Sequence, residues 1–168
     1  MDLLDQPMSD SEVRDFLPDA TLLTYPDFAE LVKRGMTLSE FLGPSKTAIL
    51  LYETKPRTGH YVTVFERPGN IVEVFDSLGY VPDDELEFIP KHYRDVSNQD
   101  HSYLLWLLRN SGKHIEYNEV PLQKDKPGVA TCGRWCIWRI ANRNMPLKTF
   151  QQAFYGCSGD ILVSSLIR

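Results

Sequence analysis

"GHYVTVFERPGNIVEVFDSLGY", Gly59 to Tyr80, is the stretch whose reading decides the fold. Two runs that alternate apolar and polar residues flank "RPGN", a pattern that predicts an antiparallel hairpin. His60, Val62 and Val64 share one face of the first strand; Val72, Val74 and Asp76 share one face of the second. If the valines pair across the sheet, Val62 with Val74 and Val64 with Val72, the same register sets His60 opposite Asp76. Directly opposed β-carbons lie about 4.5–5.5 Å apart, within reach of a carboxylate–imidazole hydrogen bond. That register needs a three-residue loop, Arg67 to Gly69, or a bulge. A two-residue Pro-Gly turn would put His60 and Asp76 on opposite faces. Glu73 points away from the valine face, and its removal is expected to matter little.

Outward from the hairpin, "KTAILLYE" (Lys46–Glu53) reads as a buried strand and "HIEYNEVPL" (His114–Leu122) as a further short one. The first forty-odd residues read as short helices. "SDSE" and "TLSE" carry the serine- or threonine-to-glutamate spacing of capping boxes, and "PDFAELVKRG" begins with proline and ends on glycine. "LLWLLR" (Leu104–Arg109) is the centre of another helix. Three helical pieces close the chain: Cys132 to about Asn142, Pro146 to about Tyr155, and Ser158 to Ile167. This predicts one α+β domain over residues 1–168, with a central mixed or antiparallel sheet flanked by helices. Residues 1–45 form its helical amino-terminal part, 46–120 the sheet with the His/Asp hairpin, and 131–168 the carboxy-terminal helices.

Composition narrows the function classes. The net charge of -5 argues against generic attraction to nucleic acid or anionic lipid. Arg134, Arg139 and Arg143 are therefore expected to be a solvated face. The acidic amino end lacks the layout of a secretion signal, and the longest apolar run is far too short to span a membrane. Three cysteines is an odd number with no disulfide spacing, which fits a reducing, non-secreted setting. No zinc pattern surrounds Cys132 and Cys136, so neither metal nor cofactor is expected.

The thiol that matters is identified by its place. In "TCGRWCIWRIA", Cys132 falls in the first turn of an apolar helix, where unpaired N–H groups and the helix dipole stabilise a thiolate. Cys136, one turn on, reads as a small core residue. Gly133 leaves the backbone approachable, which suits an oxyanion hole, and Gln123 could supply a side-chain donor to the same oxyanion. The order His60, Asp76, Gln123, Cys132 thus offers base, orienting acid, oxyanion donor and nucleophile. His92, His101 and His114 lack a matching acid, and Cys157 sits in a turn.

At these residues the chain resembles the adenovirus maturation protease (adenain) and its relatives in large DNA viruses, virophages and Polinton-type elements, which share a clan with the SUMO-deconjugating proteases. The matching pieces are "GHY", "VFDSLGY", "LQ" and "TCGRWC", over roughly residues 46 to 142. Tyr61 stands where many relatives carry Trp, and the interval from Gln123 to Cys132 is longer than is common. The resemblance implies a cysteine endopeptidase that cuts capsid or virion precursors, with Tyr61, Gly133 and Trp135 shaping a narrow substrate cleft. It further implies polypeptide substrates, an expected monomer, action in the virion or infected cell, and room for an activating peptide. Two alternatives stay open: a deconjugase of ubiquitin-like proteins, and a non-catalytic virion or interaction protein that retains the fold.

Overall fold

The computed structural model describes residues 3–127 and 129–168; the first two residues of the acidic amino end lie outside them. Five strands form one sheet in the order β1 (Thr21–Thr24), β2 (Thr47–Lys55), β3 (Thr58–Arg67), β4 (Ile71–Phe75), β5 (His114–Tyr117). The central pairs β2–β3 and β3–β4 are antiparallel, and the two edge strands are parallel to their neighbours. The fold is α+β, a mixed sheet between helical layers.

Both capping boxes are present. Ser9 and Glu12 close the start of α1 (Asp10–Phe16), and Thr37 and Glu40 that of α3 (Leu38–Leu42). Proline opens α2 (Tyr25–Lys33). Within the stretch expected to be wholly helical, Thr21–Thr24 is instead an edge strand on β2.

The two faces of the sheet bury different layers. Ala48, Leu50, Tyr52, Val62, Val64, Val72 and Val74 pack under α2, α3 and α5 (Tyr103–Arg109). Ile49, Leu51, Tyr61, Phe65 and Phe75 pack on the other side, under α6 (Cys132–Ala141), α7 (Leu147–Gln152) and α8 (Gly159–Leu166). A last helix, α4 (Lys91–Val96), precedes α5.

The hairpin register differs by two residues from the valine-to-valine expectation. Val64 pairs with Val74, Glu66 with Val72 and Arg67 with Ile71, so the loop is Pro68–Asn70. Gly69 and Asn70 both take positive φ there, which an odd-length loop with Gly-Asn accommodates at little cost. The face assignment is kept, because a shift of two preserves parity.

The arginines of α6 are not a solvated face. Arg139 is fully buried and makes a two-pronged bond to Glu73, Nε to Oε2 at 2.8 Å and Nη2 to Oε1 at 2.9 Å. Its guanidinium also lies over the Phe65 and Phe150 rings. Arg134 is buried too, bonding to the carbonyls of Ile167 and Gln6. Each charge is satisfied inside the protein, as burial demands.

Candidate active site

The site forms at the end of β3, where the two helical layers meet. Gly59 precedes the histidine for a steric reason: a Cβ there would lie 1.7 Å from the Tyr52 carbonyl oxygen. With β2 that close, His60 is fixed at the strand's end. Asp76 follows β4 directly and is 2% exposed. The loop after it turns at Gly79, whose φ of +81° is unfavourable for a side chain and whose N–H donates to the Asp76 carbonyl.

His60 Nε2 and Asp76 Oδ1 are 2.8 Å apart, and the same oxygen accepts from the Leu78 N–H at 2.9 Å. With Nε2 committed to the carboxylate, Nδ1 is the nitrogen left for the thiol. Cys132 is the first residue of α6 and its thiol is electrostatically coupled to the imidazole; its Sγ accepts from the Tyr61 backbone N–H at 3.4 Å. Burial by itself would push the thiol up. The His60 charge, its hydrogen bond and the Tyr61 and Gly133 amides outweigh burial and hold the thiol below its ordinary value. For His60, burial favours the neutral ring, yet the charges of Asp76 and Cys132 raise its pKa to about 10. Both shifts describe an imidazolium–thiolate pair braced by a carboxylate.

Cys136 is fully buried, its S–H directed at the Tyr61 carbonyl 3.6 Å away, and burial pushes its thiol well up. Cys157 is exposed and apart from the site. His101 and His114 have mostly exposed side chains, with carboxylate oxygens of Asp100 and Glu116 at 3.6 and 3.9 Å from their Nε2 atoms.

Gln123 is buried beside the Asp76 loop. The Ser77 hydroxyl donates to its Oε1 at 2.7 Å, which turns the amide so that Nε2 points away, towards the Val129 carbonyl at 3.5 Å. Ser77 also accepts from the Gln123 backbone N–H. The carboxylate-bearing loop and the glutamine are thereby one unit. Gly133 sits against Met8 and the Tyr61 ring, so a side chain there would crowd both.

Trp135, expected to shape the cleft, is fully buried instead. Its Nε1 donates to Asp160 Oδ1 at 2.9 Å and its ring packs on Phe154. Tyr61 is 5% exposed, its hydroxyl bonded to Asp10. Neither ring presents an open wall to solvent.

Two acidic residues escaped the sequence reading. Asp160 accepts from the Thr131 hydroxyl, the Trp135 indole and the Lys124 N–H, tying the start of α6 to the segment that carries Gln123. Glu85, in a short 3-10 turn (Asp84–Phe88), lies 3.8 Å from His60 Nε2. With Asp76 and His60 it completes a set of possible ligand atoms within 4.8 Å of one another. It sits in the acidic stretch "PDDELE", whose composition carries no signal of burial.

No family model matches the chain. "Uncharacterized protein V9" of Sputnik virophage is 35% identical over 153 residues, which is 88% of this chain and 85% of that protein. Among solved structures, the ASFV pS273R protease overlays 73% of this chain at 18% identity with a TM-score of 0.39. The chain covers 44% of that protease, less than half its length. ChlaDub1 from Chlamydia trachomatis overlays 96% of this chain and 76% of its own at 14% identity and a TM-score of 0.44. The central domain of the Legionella pneumophila protein Lpg1148 does so over 96% and 93% at 13% identity and 0.46. These overlaps are loose; the chemistry rests on the side chains. None of the described helices is long and apolar enough to cross a membrane.

Proposed function

The chain belongs to the same family as uncharacterized protein V9 of Sputnik virophage, and we propose that it is a cysteine endopeptidase that processes virion precursor proteins. One observation carries the reading: a single imidazole hydrogen-bonded to a buried carboxylate and electrostatically coupled to a thiol at a helix start. A structural histidine has no need of both partners, whereas thiol acyl transfer does.

In this mechanism the Cys132 thiolate attacks the scissile carbonyl while His60 holds the thiol's proton. Gln123 Nε2 and the amides of Cys132 and Gly133 take the negative charge of the tetrahedral oxygen. As the C–N bond breaks, His60 gives that proton to the leaving amine. Water then attacks the thioester, losing a proton to His60, and the C–S bond breaks to free the new carboxylate and the thiol. Asp76 keeps the imidazole in the productive tautomer throughout.

A relative encoded by a virophage supports virion proteins as the substrate class. The test is incubation of wild type and Cys132→Ala with the structural proteins encoded beside it, followed by mass spectrometry of new termini. New termini that depend on Cys132 are expected. Faster release of a ubiquitin-like reporter than of any virion peptide would reassign the substrate to that class, and labelling of Cys132 without cleavage of either would sink the protease reading.

A further inference from the structure

We propose that Glu85 is a positioning residue of this site, carrying a proton at neutral pH and donating it in a hydrogen bond to Asp76 Oδ2. The assignment of a role in turnover rests on the protease reading above; the location of the proton does not.

The argument starts from three oxygens that lack partners. Asp76 Oδ1 is used twice, by His60 and Leu78, but Oδ2 is buried with no hydrogen bond. Both oxygens of Glu85 are also buried without one, and the residue is 6% exposed. A carboxyl group left in that state is strongly disfavoured in its charged form. One oxygen of each acid lies within 4.8 Å of one of the other.

Consider both ionised. The imidazolium of His60 would then face Asp76, Glu85 and the Cys132 thiolate, a buried surplus of negative charge. The neighbours make it worse: Asp84 lies in the same turn and feels the Asp76 charge, Tyr80 and Cys136 feel it as well, and neither can supply a cation. Among the described residues no lysine or arginine pairs with either carboxylate; the ion contacts are those of His60.

A shared tetrahedral zinc fits poorly. Two ligands on one tetrahedral zinc, each bonded at about 2.0–2.1 Å, sit roughly 3.3 Å apart. His60 Nε2 and Asp76 Oδ1 are closer than that, at 2.8 Å, because a hydrogen bond already joins them. An ion would have to break the contact that orients the base.

A proton fits both acids. Two carboxyls confined together ionise one at a time, the first kept as the anion and the second driven to stay neutral. Asp76 already accepts two hydrogen bonds and faces the imidazolium, so Asp76 is the anion. Glu85 keeps the proton, and its O–H supplies the donor that Oδ2 lacks. The Asp76 carboxylate is then held from three sides, by Leu78, His60 and Glu85, and cannot rotate away from the ring. Glu85 thus acts on the base through Asp76, without touching substrate.

The test uses the full chain with E85Q and E85A. Infrared difference spectra of wild type minus E85Q at pH 7 should show the carbonyl stretch of one protonated carboxylic acid. With a cleaved peptide, E85A should lower kcat about tenfold with KM unchanged, and E85Q, whose amide still donates to Oδ2, should restore most of that loss. The infrared band needs no turnover and E85Q is isosteric, so it reads the proton even if E85A fails to fold. A band with no peptide cleaved would support the proton assignment while removing the protease reading. Absence of the band overturns the proposal, as does a folded E85A with wild-type kcat.

Discussion

His60 and Asp76 meet at 2.8 Å although they are not cross-strand partners. In the observed register His60 pairs with Tyr52 on β2, and β4 has ended before a residue of its own could oppose it. The contact is therefore diagonal, made by a side chain reaching over the strand end. Diagonal neighbours on one face remain within reach of a long or aromatic side chain. Loss of the carboxylate should cost catalysis more than folding. Asp76→Asn is expected to reduce kcat on a cleaved peptide by about 10²–10⁴-fold, since the amide cannot hold the imidazolium. Circular dichroism should be little changed. A fall of less than tenfold would mean that another acid, Glu85 first among them, orients the ring.

Glu73, on the other face of the same strand, should behave in the opposite way. Glu73 is expected to matter little to catalysis, but it matters to folding: among the described residues it is the carboxylate paired with buried Arg139, and Arg67 Nε lies 3.2 Å from it. Glu73→Ala strands a buried guanidinium, and urea denaturation should show a loss of about 3–5 kcal/mol. Activity per folded molecule should stay within a few-fold of wild type. Wild-type stability in that variant would contradict the ion pair described above.

The hairpin parity, the helix-start cysteine and the two capping boxes were legible in the sequence because each is a local pattern. The register was not: valine faces fit either of two pairings two residues apart, and only the Pro68–Asn70 loop conformation chooses. β1 was hidden for a related reason. "TLLT" has four half-buried residues, no alternation, and a partner that lies more than twenty positions on. Arg139 was misread and Glu85 went unnoticed because charge in a sequence implies solvent by default, and the elements that bury them come from distant positions.

The two shifted groups fix a pH window. His60 binds its proton more tightly in the folded chain, so the imidazolium's contribution is whole below its ordinary value of 6.5 and is lost as pH rises through about 10. Cys132 is shifted down, so the thiolate's contribution is present above the ordinary thiol value and is lost as pH falls through the lowered one. Between those limits the ion pair persists. The kcat/KM profile should therefore fall on its alkaline side near pH 10 and keep its acid limb below the ordinary thiol range. An acid limb centred at the value of a free thiol would show that no ion pair forms.

The two cysteines of α6 separate most cleanly by alkylation. Cys132 has His60, the Tyr61 amide and the Gly133 amide to stabilise its anion. Cys136, one turn deeper, is fully buried and its thiol is pushed up by burial and by the negative charge that Cys132 and Asp76 carry. At pH 6 an ordinary thiol, with a pKa of about 8.5, is almost wholly protonated and slow to react. One equivalent of iodoacetamide should then modify Cys132 first, and peptide mapping should place the label there. Cys132→Ala should abolish both that labelling and cleavage. Cys136→Ala should retain activity and lose about 1 kcal/mol of stability, as a small core truncation does. Label on Cys136 or on exposed Cys157 at this pH, with Cys132→Ala still cleaving, would remove Cys132 from the role of nucleophile.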